Sequence, residues 1–223
     1  MRRFLFGEKE GGTIKKVLLI NACARPESRT HRLARYVLEQ LKLAGEKESQ
    51  EEGKGRQPRA GSEKIRVEEV KLYEETQLLP LDNERLEERN GCIAAGDFSA
   101  ELFRYARQFA EADEIIIAAP YWDLLFPAVL RTYLEQVTVT GVTFYYTPEG
   151  IPKGLCKASR LIYVMTAGGS VGDYNFGFDY VKALAGTFYG IPQTICIKAE
   201  NLDIVGADTE KILRETMDTV ALE

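Results

Sequence analysis

Three short segments carry side chains whose types and spacing suit the gripping of a small, flat, anionic ligand. The first is CARPESRTHR (23–32), which follows the apolar run VLLINA (17–22) and leads into a helical pattern. Ser28, Arg29 and Thr30 therefore fall where a first helical turn leaves N–H groups without carbonyl partners, a ready anion site. Residues 25–35 hold four arginines and one glutamate, a local +3 in a chain of net charge −5. The same residues equally suit a plain helix cap on a solvated basic face. The second segment, PYWDLL (120–125), sets Pro120, Tyr121, Trp122 (the only tryptophan), Asp123 and Leu124 just past a buried strand. Aromatic rings there either wall a flat heterocycle or pack against the core or a neighbouring subunit. In the third, TAGGS (166–170), the two glycines, Gly168 and Gly169, let backbone approach a ligand closely and aim N–H groups at it; alone it reads as an ordinary loop.

The elements that must position these segments alternate along the chain. Strands are expected at 17–22, 65–73, 114–120, 160–166 and 193–199. Helices are expected at 30–43, 97–112, 127–137, 174–189 and 208–221. EIIIAAP (114–120) and RLIYVMT (160–166) are continuously apolar, the mark of strands covered on both faces. Such an order predicts an α/β fold, a doubly wound five-stranded parallel sheet with helices on both faces. Residues 74–96 read as a long polar connection, and GVTFYYT (141–147) as a weakly alternating ribbon strand before the turn PEGIPKG. One domain is expected over 1–223, with 1–14 an N-terminal tail. Residues 44–64, whose only apolar type is alanine among five acidic and five basic side chains, are expected as an exposed polar insertion.

Composition narrows the chemistry. A net charge of −5 gives no electrostatic footprint for nucleic acid. The single histidine, His31, excludes tri-histidine metal centres, and Cys23, Cys92, Cys156 and Cys196 are too scattered for a cysteine metal knuckle or a redox pair. No metal is expected. The opening MRRFLFGEKEGG lacks a signal-peptide core, and no apolar run approaches the about 18 residues of a membrane span. The expectation is a cytoplasmic protein with reduced thiols and no membrane partner.

The three candidate loops follow strands expected to be neighbours, and open parallel sheets bind ligands beyond such carboxyl ends. Together they describe a phosphate pocket, an aromatic wall and a row of amide donors. The first loop has neither G-x-G-x-x-G nor G-x-x-x-x-G-K-[ST], so the dinucleotide and P-loop fingerprints are missing. FMN, with a terminal phosphate and a tricyclic ring polar along one side, has the matching shape.

Four stretches then resemble the flavodoxin-like family of FMN-dependent NAD(P)H oxidoreductases, the azoreductases and quinone reductases. They are S-R-T-x-x-L-A (28–34), A-P-Y-W…F-P-A-V-L-R-x-Y (119–133), G-V-T-F-x-Y (141–146) and T-A-G-G-S (166–170). The resemblance implies that Ser28, Arg29 and Thr30 hold the FMN phosphate. It sets Pro120, Tyr121, Trp122, Asp123 and Leu124 beside the ribityl chain and ring, with Thr166, Ala167, Gly168 and Gly169 at the pyrimidine edge. Tyr174 falls where quinone reductases carry a tyrosine near the flavin and is the candidate catalytic residue. Phe144 and Tyr146 border a substrate pocket or simply build a ribbon, and Cys23 is a flavin neighbour or a buried thiol. Three positions depart from the family pattern: Tyr180 replaces a histidine, Asp123 stands where azoreductases usually have asparagine, and Cys23 lies near a position where they often have serine. NADH or NADPH as co-substrate, a small-molecule quinone or azo acceptor and a homodimer are the implied partners. A flavodoxin-like electron carrier without nicotinamide turnover is the alternative, and a flavin-free scaffold the third reading.

Overall fold

A strand that is apolar at every position must be covered on both faces. Two segments meet that condition: β3 (Glu114–Ala118), buried throughout, and β6 (Arg160–Thr166), buried from Leu161 onward. The computed structural model, which describes residues 14–51 and 64–220, pairs them in parallel, Ile115 opposite Leu161 and Ala118 opposite Val164. With β1 (Ile14–Asn21), β2 (Lys64–Lys71) and β7 (Gln193–Ala199) they form a five-stranded, all-parallel sheet in the order β2-β1-β3-β6-β7. The chain winds outward from β1 to β2, then returns to build β3 on the other side of β1. The switch point of the sheet therefore lies between β1 and β3, as a ligand-binding rim requires.

Alternate side chains of the strands feed two cores. On one face Val17, Leu19, Ile116, Ala118, Ile162 and Val164 meet Leu33, Val37, Leu38 and Leu41 of α1 (Arg29–Glu51) and Leu213 of α6 (Thr209–Asp218). On the other, Leu18, Ile20, Ile115, Ile117, Leu161 and Tyr163 pack on α3 (Arg104–Glu111), α4 (Ala128–Val137) and α5 (Phe176–Leu184). Each such Leu or Ile contributes about 1.5–3 kcal/mol on burial. At the amino edge of β3 the buried Glu114 carboxylate pairs with Lys15 at 2.7 Å and Arg160 at 2.9 Å. That charge cluster sits at the end of the sheet opposite the rim.

Several elements differ from the sequence expectation. α1 does not stop at Leu43; it continues to Glu51 through the first part of the stretch read as an exposed insertion. Lysine and glutamate are good helix formers even without an apolar stripe. Gly45 is buried in that helix, where an added Cβ would lie 3.5 Å from Ile65. Residues 52–63 of the expected insertion and 1–13 of the expected tail lie outside the described residues, and Ile14, the last residue of that tail, already opens β1. The polar connection contains a helix, α2 (Asn83–Ala95). The segment 97–112 is not one helix: a 3₁₀ turn, Glu101–Phe103, precedes α3.

The helix expected over 174–189 is α5 followed by a π-helical turn, Ala185–Tyr189. Beside that turn, β4 (Phe144–Tyr146) and β5 (Pro152–Gly154) form an antiparallel ribbon, whose second strand the sequence reading took for a turn. The ribbon docks by bare backbone: a Cβ on Gly154 would lie 2.2 Å from the backbone of Tyr189 and Gly190. Among the described residues no helix is long and apolar enough to cross a membrane.

Candidate functional site

Parallel strands aim their carboxyl ends at one rim, so the chain leaving β1, β3 and β6 meets there. The backbone stitches these exits together. Ala22 N–H donates to the Ala118 carbonyl at 2.9 Å, and Tyr121 N–H donates to the Thr166 carbonyl at 3.0 Å. A hollow of about 160 Å³ opens between the loops. Its walls are residues 23–25 and 27–30 from the first loop, Pro120, Tyr121 and Trp122 from the second, Thr166 and Gly168 from the third, and Asp203. A larger hollow, about 410 Å³, lies between β1, β2 and α3 against Lys16, Glu68 and Tyr105. None of the three carboxyl-end loops reaches it, so the smaller hollow is the candidate site.

The first loop ends on the amino terminus of α1. Ser28 caps the helix: its Oγ accepts from His31 N–H at 3.3 Å, and its carbonyl accepts from Arg32 N–H at 2.9 Å. The N–H groups of Arg29 and Thr30 precede that ladder and are the donors a first turn leaves over. A capping serine still has its own hydroxyl proton to give, so the cap and the anion site coexist at one residue. Thr30 is buried at 1% exposure, with Oγ1 2.6 Å from Oγ1 of Thr166. One hydroxyl donates to the other, which ties the first loop to the third and leaves a single O–H free to donate.

Cys23 is half-buried, with its N–H on the Asn21 side chain and its thiol 3.7 Å from the Ala118 carbonyl. Burial pushes this thiol up, against the opposing effect of hydrogen bonds with the Ser28 hydroxyl and the His31 backbone. His31 lies behind the loop, its Nε2 3.0 Å from a Glu69 carboxylate oxygen that also accepts from Asn21 at 2.9 Å. His31 is not among the residues lining the hollow.

The local +3 does not survive folding. Arg29 is paired with Asp203 at 2.9 Å and also donates to the Leu202 carbonyl at 3.2 Å, while both terminal nitrogens of Arg32 bond Glu210 at 3.0 and 2.7 Å. Among charged residues lining the hollow, Arg25 and Arg29 face Glu27 and Asp203.

In the second loop Trp122 and Leu125 exchange backbone hydrogen bonds of 3.1 and 2.8 Å around Asp123 and Leu124. Both central residues have positive φ, 50° and 69°. This is the pattern of a tight hairpin turn that favours Asn-Gly, and holding Leu124 there costs about 1–2 kcal/mol. Aspartate and asparagine both tolerate that conformation, a backbone reason for either at position 123. Trp122 and Leu124 are exposed, and the Tyr121 hydroxyl donates to the Tyr174 carbonyl at 3.0 Å, joining the second loop to the third.

In the third loop Ala167 N–H is engaged by the Ala199 carbonyl at 2.9 Å, so Gly168 and Gly169 retain their amides for a ligand. A Cβ on Gly168 would strike the Asp203 carboxylate at 2.5 Å; one on Gly169 would meet nothing within 4 Å. Glu200 steadies this loop by accepting from Val171 N–H at 2.7 Å. Burial raises the pKa of that carboxyl, but hydrogen bonds from Lys198 and Val171 outweigh it and hold the pKa low.

The structure thus brings Cys23, Ser28, Arg29, Thr30, Pro120, Tyr121, Trp122, Thr166 and Gly168 around one hollow. Asp123, Leu124, Ala167, Gly169 and Tyr174 belong to the same loops but do not line it. The Tyr174 ring is exposed and lies edge-on to Phe176 at 5.9 Å. Phe144 and Tyr146 are on the ribbon, where Phe144 is buried against Phe188 at 4.9 Å and Tyr146 is exposed. Ala24, Arg25 and Glu27 line the hollow from within the first predicted segment, and Asp203 is the lining residue that falls outside all three segments. Its signal was positional, since it follows the carboxyl end of β7 on the same rim.

A family model described as a flavodoxin-like fold matches residues 57–221, and the chain belongs to that family. Among curated proteins it is similar to an FMN-dependent NADH:quinone oxidoreductase of Lachnoclostridium phytofermentans, 44% identical over 123 residues. That match covers 54% of this chain and 61% of the relative. The FMN-dependent NADH:quinone oxidoreductase 2 of Clostridium acetobutylicum is 43% identical over 122 residues, 52% of this chain and 60% of its own. The chain thus spans about three-fifths of the length of these relatives. Among solved structures, an azoreductase from Bacillus anthracis superposes with a TM-score of 0.70 at 24% identity, covering 92% of this chain and 96% of that one. An FMN-dependent NADH-azoreductase from the same species, solved with FMN, gives 0.68 at 20% identity over 92% and 95%. These likenesses show the shared fold.

Proposed function

We propose that this protein is an FMN-dependent NAD(P)H oxidoreductase that passes two electrons from a nicotinamide to a quinone, azo compound or similar acceptor. The observation that carries the reading is the single hollow shared by three carboxyl-end loops, with helix-start amides and hydroxyls beside an aromatic wall. The names of the relatives agree with it.

The residues fit the cofactor. The Arg29 and Thr30 amides, the Ser28 hydroxyl and the remaining proton of the Thr30–Thr166 pair would hold the phosphate. Tyr121 and Trp122 would flank the ring, and the bare backbone at Gly168 and Gly169 would donate to its polar edge. When bound, FMN supplies the two-electron chemistry, taking hydride from the nicotinamide and yielding electrons to the acceptor. Backbone donors fixed before reaction stabilise negative charge without reorganising, which is the part the third loop would play. The chain offers no histidine at the hollow for a proton relay, so the protons that the reduced acceptor takes up would come from solvent.

We further propose that the protein works in the cytoplasm as a homodimer. Exposed Trp122, Leu124, Leu125, Tyr174 and Phe176 around the rim support a partner surface there. The test is turnover: FMN-loaded protein should consume NADH or NADPH in the presence of menadione or a water-soluble azo dye. Bound FMN with no nicotinamide consumption would refute the enzyme reading and leave an electron carrier.

A further inference from the structure

The segment after β7 was not expected at the site, yet it is stitched to the third loop residue by residue. Leu202 N–H donates to the Ala167 carbonyl at 3.2 Å, Asp203 N–H to Gly168 at 2.9 Å and Asn201 N–H to Gly169 at 3.2 Å. Asn201 holds a left-handed φ of 65° to make the turn. This rail presents one carboxylate to the hollow, that of Asp203, whose Oδ2 would lie 2.5 Å from a Cβ added at Gly168. The carboxylate takes Arg29 at 2.9 Å, and the Leu202 carbonyl takes the other terminal nitrogen of the same guanidinium. The one arginine inside the S-R-T segment is therefore engaged from two directions by a loop that begins more than 170 residues away.

We propose that Asp203, through its ion pair with Arg29, sets how strongly this site prefers a phosphorylated flavin over the same flavin without its phosphate. The inference rests on the cofactor reading above and adds to it a residue that governs selectivity. With the pair intact, the two charges cancel at the phosphate end and the phosphate is held by hydroxyls and backbone amides. Removing the acid alone frees a full positive charge beside a dianion. Removing Arg29 alone leaves a bare carboxylate there. Removing both restores neutrality. A unit charge within a few ångströms of a dianion in a water-screened medium changes affinity about tenfold. Riboflavin has the same ring and ribityl chain but no phosphate, so its affinity should not follow these charges.

The experiment is a flavin titration by fluorescence quenching with FMN and, separately, riboflavin. It compares the unaltered protein with Asp203→Asn, Arg29→Gln and the double variant. Asp203 is exposed and asparagine keeps its shape, and circular dichroism of each variant checks the fold. FMN affinity should rise about tenfold in Asp203→Asn, fall about tenfold in Arg29→Gln and return to near the starting value in the double variant. Riboflavin affinity should stay within about twofold throughout. An FMN-to-riboflavin ratio that is unchanged or lower in Asp203→Asn overturns the inference alone. Failure of the unaltered protein to bind either flavin overturns the cofactor reading, and this inference with it.

Discussion

The hydroxyl pair between Thr30 and Thr166 offers a quantitative test of how the site is assembled. The two oxygens are 2.6 Å apart, in residues that are 1% and 7% exposed, and they join the start of α1 to the end of β6. Thr30→Val keeps the shape and the β-branching but leaves the Thr166 hydroxyl buried without its partner. Stranding a buried hydroxyl costs about 1–3 kcal/mol, and Thr166→Val does the mirror image. Replacing both hydroxyls with methyls of the same shape is close to neutral. The expected coupling energy in the double-mutant cycle, the two single losses together, is therefore about 2–6 kcal/mol in magnitude. For a chain of this size each single variant should melt about 2–12 °C lower, with most of the loss recovered in the double variant. Thermal denaturation of flavin-free protein by circular dichroism measures this directly. Additive losses, with coupling under about 0.5 kcal/mol, would refute the pair as the tie between the loops.

Other perturbations follow from equally local facts. Gly154→Ala forces a Cβ to within 2.2 Å of the Tyr189 and Gly190 backbone, so it should cost about 1–3 kcal/mol or more and loosen the ribbon. Hydrogen exchange at 144–154 reads the change, and unaltered protection would contradict the close docking. Glu114→Gln removes the charge between Lys15 and Arg160 and leaves two cations around a buried neutral group. Breaking a buried pair costs about 3–5 kcal/mol, so a melting temperature within a degree or two of the starting value would count against it. Burial pushes the Cys196 thiol up to about 11 and the Cys156 thiol up to about 12. A thiol raised in the folded state adds stability that is present in full below the unfolded value of about 8.5 and lost as pH climbs through the folded one. Melting temperature should therefore fall between about pH 8.5 and 11, and Cys196→Ala should flatten that fall. An equally steep fall in Cys196→Ala would reject the thiol as a source.

Much of this architecture is written in local patterns. β3 and β6 announce themselves as unbroken apolar runs, and the alternation of strands and helices leaves few topologies beyond a doubly wound sheet. The loops at 23–30, 120–124 and 166–169 could be expected at one rim because parallel strands share a direction. α2 escaped because it buries no side chain, so it has no stripe to detect. Its signals were caps: Asp82 accepts from Arg85 N–H, and Gly96 closes the helix at a φ of 68°. The far half of α1 was hidden in the same way by its polar composition. In the site, the illegible part was the pairing. Thr30 with Thr166 spans 136 positions and Arg29 with Asp203 spans 174, separations at which a single sequence carries no trace of contact. The local charge of 25–35 was accordingly a poor guide to the charge of the hollow.

The central claim is a flavin held at this rim and reduced there. The most direct measurement is the visible absorbance of FMN-reconstituted protein, desalted and held without oxygen, on addition of one equivalent of NADH. The flavin band should bleach and return when a quinone is added. Flavin that elutes apart from the protein on desalting, or that stays with it unbleached by either NADH or NADPH, would contradict the account.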